Sequence, residues 1–283
     1  GYWYIMSAAG DVLSWREHWG GQGCQAVSGD YDGDGASDIA VYSESTGAWY
    51  VRTAGASARI LAWCFEWGGV GLVPIAGDYD GDGISDLAVY REETGSWFIR
   101  DVAGNVLVWG DSWGSAGFVP VPGDYDGNGT TDLAVYSDTD GLWYIATRDA
   151  ESGADKLVSL RIMAWGVPWG GPGMIPVPGD YNGDGISDLA VYQEETGVWS
   201  VLTASGAVVL WNDIWGGPGH KVVPGDYDGD GVADQAVVSD GIWYIRTVDQ
   251  RILLWGQAWG ESAASPVPGD FDGDGASDLA MYR

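Results

Sequence analysis

The sequence predicts an all-β fold, a six-bladed β-propeller of four-stranded antiparallel blades, on three observations. First, an acidic string repeats. GDYDGDGASD begins at Gly29, and near copies begin at Gly77, Gly123, Gly179, Gly225 and Gly269, at intervals of 48, 46, 56, 46 and 44 residues. Second, the 18 tryptophans sort three to a unit. A G-x-W motif carries Trp3, Trp49, Trp97, Trp143, Trp199 and Trp243. A W-x-x-x-W pair carries Trp15/Trp19, Trp63/Trp67, Trp109/Trp113, Trp165/Trp169, Trp211/Trp215 and Trp255/Trp259. Third, the second tryptophan of every pair lies 11 residues before the first aspartate of the next string. Self-similarity at a period of about 40–50 residues is the signature of propeller blades.

Each unit supplies four strands. In the second unit these are LVPIAG, LAVY, SWFIRD and VLVWG, short runs rich in β-branched and aromatic residues, separated by Asp, Gly and Thr-Gly. No stretch holds a helical period. The step from the G-x-W tryptophan to the pair is 12 residues in four units, 14 in one and 22 in the unit of Trp143. The surplus there predicts an extended surface hairpin around Asp149 to Ser159. Blades are expected at about 21–68, 69–114, 115–170, 171–216 and 217–260, with 261–283 joined to 1–20, so that residues 1–283 form a single domain. The chain enters at a third strand (YWYIM) and leaves after a second strand (DLAMY). The two ends are therefore expected to share one blade, the N-terminal strands as its third and fourth and the C-terminal strands as its first and second. Such a clasp removes an open sheet edge. An open solenoid is the alternative, but solenoids carry distinct caps.

Composition bounds the function. The 283 residues carry a formal net charge of −29 and are 46% apolar and 13% aromatic. That is enough for a real core and too aromatic for disorder. No apolar run reaches the roughly 18 residues of a membrane span. A chain this acidic repels phosphate backbones, so nucleic acid is not an expected partner.

The acid is concentrated in loops of pattern D-x-[DN]-x-[DN]-G-x-x-D. Alternate carboxylates converge when such a loop curls, the sixth-position glycine permits the turn, the seventh residue turns its carbonyl inward, and the ninth-position aspartate closes the site. The candidate metal ligands are Asp30, Asp32, Asp34, Ala36 and Asp38 in the first loop, and Asp78, Asp80, Asp82, Ile84 and Asp86 in the second. The third has Asp124, Asp126, Asn128, Thr130 and Asp132; the fourth has Asp180, Asn182, Asp184, Ile186 and Asp188. The fifth has Asp226, Asp228, Asp230, Val232 and Asp234; the sixth has Asp270, Asp272, Asp274, Ala276 and Asp278. Clustered carboxylates repel one another without a cation. Oxygen donors without His or Cys point to Ca²⁺, up to six ions, with Mg²⁺ or Mn²⁺ second. Asp-Gly strings also make plain hairpin turns, but six copies with an invariant ninth-position aspartate argue against that. Asn128 and Asn182 leave the third and fourth loops each one carboxylate short.

The string GDYDGDGxxDLAVY resembles the calcium-binding repeat of the FG-GAP/VCBS family, which includes integrin-type propellers and many secreted bacterial ones. The resemblance spans every unit. It implies a calcium-binding propeller whose ligands are positions one, three, five, seven and nine of each loop. It differs from the integrin-type ring in having six units rather than seven.

Strand reversal places the acidic loops and the turns between third and fourth strands on one face. The turns between second and third strands and the crossings to the next blade lie on the other. Trp19, Trp67, Trp113, Trp169, Trp215 and Trp259 sit near those crossings. They are candidates for a ligand-binding rim whose aromatic faces stack on sugars, with packing between blades as the competing role. Acidic turn residues such as Glu44, Glu93, Asp138, Glu194 and Asp240 lie nearby. Two histidines, His18 and His220, fall in different units, and no nucleophile elbow or zinc motif is present. The expected function is a non-enzymatic, calcium-stabilised extracellular module, secreted or on a cell surface, binding a glycan or protein, with multivalency built into the repeat. The alternatives are a polysaccharide lyase or hydrolase using a carboxylate pair from distant blades, and a structural domain of a larger surface protein or assembly. Whether Cys24 and Cys64 form a disulfide is left open by the sequence.

Overall fold

The computed structural model describes residues 1–55, 58–148 and 160–283; the hairpin expected around Asp149 to Ser159 lies outside them. Among the described residues there are six sheets of four antiparallel strands and no helix. In the first uninterrupted blade the strands are Cys24–Ala26, Ile39–Ser43, Ala48–Arg52 and Ile60–Glu66. The second and third pair from Ile39↔Arg52 to Ser43↔Ala48, closing a short turn that ends at Gly47.

The middle of the second strand of each blade is apolar because both of its faces are covered. Side chains alternate across a strand, and a continuous apolar run fits only a strand buried on two sides. Leu87 and Val89 face the preceding blade, packing with Ala40, Tyr42 and Trp49. Ala88 and Tyr90, one residue out of phase, face the following blade, packing with Leu133 and Val135. The core is thus six clusters, each lying between neighbouring blades.

The ring closes in two ways. One sheet joins the chain ends, in the order Val12–His18, Tyr2–Met6, Leu279–Tyr282, Ser265–Pro266, with Trp3 opposite Tyr282 and Met6 opposite Leu279. The acidic loops also link hand to hand. The first aspartate's carbonyl accepts the amide of the eighth residue of the next loop: Asp30 from Ser85, Asp78 from Thr131, Asp124 from Ser187, Asp180 from Ala233, Asp226 from Ser277, and Asp270 from Ser37. The last bond returns to the first loop, so the circle is complete.

The two faces are as the strand reversals require. Arg59, just before a fourth strand, pairs with Asp32 of the acidic loop in the same blade. On the other face the crossing packs on the second turn: Trp67 N donates to Gly47 O at 2.7 Å, and Gly69 N to Tyr42 Oη at 2.8 Å. The approach is close. At Gly95 (φ 70°) a Cβ would lie 2.3 Å from the carbonyl carbon of Gly114, which is why this turn ends in glycine.

Candidate functional site

The loop curls because its first aspartate binds its own backbone. Asp30 Oδ1 accepts Gly33 N at 2.7 Å, and Oδ2 accepts Gly35 N at 2.8 Å. Asp78, Asp124, Asp180, Asp226 and Asp270 do the same. The fifth-position side chain takes the amide of the seventh residue, as Asp34 does from Ala36 at 3.0 Å. Glycine at position four gives room for the next loop: a Cβ on Gly33 would meet Ile84 Cγ1 at 3.1 Å.

The ninth aspartate decides what the loop can hold. Its Oδ2 accepts the amide of the second residue, Tyr31 N to Asp38 at 2.8 Å, and this bond recurs in every loop. Asp132 and Asp278 are fully buried, and the Oδ1 of each has no partner; Asp32 Oδ1 and Asp228 Oδ1 are likewise buried and unpaired. Burial first, then neighbouring carboxylates, push Asp38, Asp86, Asp234 and Asp278 up to about 7. Asp132 and Asp188 rise to about 6 by the same causes. Buried unpaired acceptors are costly, and a hard cation satisfies all of them at once. In five loops three carboxylates reach within 4.8 Å of one another: Asp30/Asp32/Asp38, Asp78/Asp80/Asp86, Asp124/Asp126/Asp132, Asp226/Asp228/Asp230 and Asp270/Asp272/Asp278. The donor set therefore fits a divalent ion. The two asparagines act as their chemistry dictates. Asn182 Nδ2 donates to Asp188 Oδ1 at 3.4 Å, and Asn128 Nδ2 to Thr147 Oγ1 at 3.4 Å.

The tryptophans divide into three roles. Those of the G-x-W motif are fully buried, and five donate Nε1 to the carbonyl of the second tryptophan of the pair, as Trp97 does to Trp113 at 2.9 Å. The second tryptophans do not form an exposed rim. Trp19, Trp67, Trp113 and Trp259 are buried, and Trp169 and Trp215 are half-buried. Trp19, Trp67, Trp113 and Trp169 each donate Nε1 to a third-strand carbonyl of the next blade, those of Tyr50, Phe98, Tyr144 and Ser200. Glu44 and Glu194, acidic residues near the expected rim, accept crossing amides, from Gly71 and Gly219.

The exposed aromatics are the first tryptophans, which the sequence reading did not single out as ligand contacts. Trp15, Trp63, Trp109, Trp165, Trp211 and Trp255 are 61–71% exposed. Each packs against the second tryptophan of the preceding blade, with ring centroids 5.3–5.9 Å apart. Five also meet a third-strand aromatic edge-on: Tyr4, Tyr50, Phe98, Tyr144 and Tyr244. In the fourth blade Ser200 stands in that place. A bulge turns the first tryptophan outward. The residue after it has positive φ in every blade: Arg16, Cys64, Gly110, Gly166, Asn212 and Gly256. The strand register shifts there, Trp109 lying opposite Phe98 but Asp111 opposite Trp97. The glycine after the first tryptophan in three units was the available sequence signal.

The result is an aromatic groove between blades. One, of about 510 Å³, is lined by Trp19, Tyr50 and Trp63 with His18, Ser43 and Thr46. A second, of about 370 Å³, has Trp113, Tyr144 and Trp165 with Phe118. A third, of about 280 Å³, has Trp215, Tyr244 and Trp255 with His220. Ser43, Thr46 and Gly114 place these grooves toward the face opposite the acidic loops. Cys24, half-buried in the first groove, and Cys64, exposed, are both free.

Residues 30–89 match the family model described as an FG-GAP-like repeat, and the same loop-and-strand unit recurs around the ring. The matched repeat and the six-bladed ring together support an FG-GAP/VCBS-type propeller. No curated protein matches the sequence. Among solved structures, this ring is similar to an Agrocybe aegerita lectin described by its specific recognition of non-reducing terminal N-acetylglucosamine. That similarity has 17% identity and a TM-score of 0.60, over 99% of this chain and 84% of the lectin, and it establishes the shared fold alone. A second similarity, to the V. cholerae biofilm matrix protein Bap1, has 21% identity and a TM-score of 0.36, over 81% of this chain and 38% of that one, and carries no argument. No helix among the described residues is long and apolar enough to cross a membrane.

Proposed function

We propose that this propeller is a non-enzymatic, calcium-stabilised glycan-binding module, and that the glycan lies in the aromatic grooves between blades. The observation that carries the reading is the repeated first tryptophan, held exposed by a bulge and buttressed by two further aromatic contacts in most blades. An isolated apolar side chain on a surface means little, but six equivalent indoles at fixed stations mark an interaction surface. A tryptophan offers a rigid apolar face and costs little entropy to order. A pyranose offers the matching face of C–H groups, and the first groove adds His18, Ser43 and Thr46 for its hydroxyls. The lectin similarity agrees with this ligand class. Repetition favours weak sites used together, so the partner is a glycan displayed in many copies.

Calcium in the acidic loops has a structural role in this reading. Six ions would bring the formal charge of −29 to about −17 and satisfy the buried carboxylate oxygens. The grooves lie toward the opposite face, so the ion supports the ring and does not touch the sugar. Millimolar calcium is an extracellular condition, which makes secretion or surface display the expected setting.

A glycan array tests the function, run on the calcium-loaded protein and on the triple variant Trp63→Ala, Trp165→Ala, Trp255→Ala. Binding by the first that is lost in the second, with the melting temperature kept, is the expected result. Equal binding by both would overturn the assignment to the grooves.

A further inference from the structure

The six loops differ in one respect that the repeat conceals. In alternate blades a guanidinium reaches the third-position aspartate: Arg59 to Asp32, Arg161 to Asp126 (2.6 Å), and Arg251 to Asp228. Arg59 and Arg251 stand just before a fourth strand. Asn105, Ala207 and Asp11 hold that place in the second, fourth and sixth blades, and none carries a positive charge. The covering is visible in exposure: Asp32, Asp126 and Asp228 are half-buried, whereas Asp80, Asn182 and Asp272 are exposed.

The arginine does not plug the site. It takes Oδ2 of Asp32 and of Asp228, and leaves Oδ1 of each buried without a partner. The fully buried, unpaired Oδ1 of Asp132 and of Asp278 points independently to an ion in these clusters. The guanidinium can therefore stay in place while an ion binds. Its charge then subtracts from that of the four side chains at positions one, three, five and nine. If only guanidinia bonded to the loop are counted, the second and sixth loops keep a formal charge of −4; the Arg148 guanidinium near the second loop donates to Leu107 O and acts on Asp86 and Asp80 only through space. The first and fifth, with one arginine each, stand at −3, as does the fourth, which has one asparagine. The third has one asparagine, which leaves −3 on its side chains, and the ion pair of Arg161 with Asp126 lowers that further.

We propose that Arg59, Arg161 and Arg251 grade the calcium affinity of the ring, so that the second and sixth loops fill first, the first, fourth and fifth next, and the third last. The inference rests on the calcium reading above. Affinity in oxygen-ligand loops follows ligand charge count, and one elementary charge several ångströms from the ion, partly screened by water, is worth roughly three- to tenfold in affinity. The arginines are positioning residues as well. By holding Oδ2 they fix the third-position carboxylate before the ion arrives, so loops one, three and five keep their form in its absence.

The test is a calcium titration followed by amide NMR on the six sixth-position glycines: Gly35, Gly83, Gly129, Gly185, Gly231 and Gly275. Gly83 and Gly275 should respond at the lowest calcium and Gly129 at the highest. Arg59→Gln should move the midpoint of Gly35 down roughly three- to tenfold and leave Gly83 unmoved. Arg59→Lys, which keeps the charge, should restore the wild-type midpoint. Arg251→Gln should do for Gly231 what Arg59→Gln does for Gly35. Responses in which Gly35 precedes or coincides with Gly83, or an Arg59→Gln midpoint that stays or rises, would overturn the grading while leaving calcium binding intact. Silence at all six glycines would overturn the calcium reading itself.

Discussion

Raising the pH of the metal-free ring should destabilise it, and the size of the effect follows from the ninth-position aspartates. Asp38, Asp86, Asp132, Asp188, Asp234 and Asp278 are all within 2% of full burial. Their carboxyls are raised from 3.8 to about 7 in four loops and about 6 in two. The folded state therefore holds protons that the unfolded chain gives up near pH 4. A group raised in this way contributes its full stability below the unfolded value, and the contribution is lost as pH rises through the folded one. Three units correspond to about 4 kcal/mol per group at most, at about 1.4 kcal/mol per unit. About two of those units lie above pH 5, so one group alone is worth about 2.7 kcal/mol in that window, or roughly 5–11 °C at about 2–4 °C per kcal/mol, and several groups act together. Protein stripped on a chelating resin should melt at least about 10 °C lower at pH 8 than at pH 5 in constant salt. Saturating calcium should abolish the loss, because the ion takes the place of the protons. Asp278→Asn provides the internal control. It should raise the metal-free melting temperature at pH 8, where it removes a buried charge, and lower the gain that calcium gives. A metal-free melting temperature that holds steady or climbs from pH 5 to pH 8 would refute the reasoning.

Two further substitutions separate packing from binding, and a third tests the turn. Trp113→Ala, at a buried inter-blade site, should cost about 3–5 kcal/mol in denaturant unfolding. Trp109→Ala, four residues away but exposed, should cost under about 1 kcal/mol and weaken a stacked sugar by about 1–3 kcal/mol in calorimetry, if sugars stack as strongly as bases. Gly95→Ala should lower the melting temperature and broaden the transition, since its Cβ would strike the Gly114 backbone and its φ of 70° disfavours any side chain.

The ring was legible because its parts repeat. The fixed distance from second tryptophan to loop, and the continuous apolar strands such as Leu87 to Tyr90, follow from a blade packed on both faces, and such constraints write themselves into residue type. The loops were legible for the same reason: carboxylate spacing and glycine placement are consequences of curling a chain around one point. The tryptophans were not. In a W-x-x-x-W pair on a regular strand, both rings point to the same side. The bulge at Arg16, Cys64, Gly110, Gly166, Asn212 and Gly256 breaks that phase, so the first ring faces solvent and the second is buried. In three units the bulged residue is not glycine, and nothing in its side chain announces positive φ. The pairing of Arg59, Arg161 and Arg251 with the loops was hidden too, because it joins residues 23–35 positions apart across a turn.

A crystal structure of the calcium-loaded ring with a saccharide found by array is the most direct measurement of the central claim. The sugar ring should lie on Trp63, Trp165 or Trp255, in the groove bounded by the second tryptophan of the preceding blade. A saccharide bound on the acidic-loop face, with those indoles bare, would contradict it.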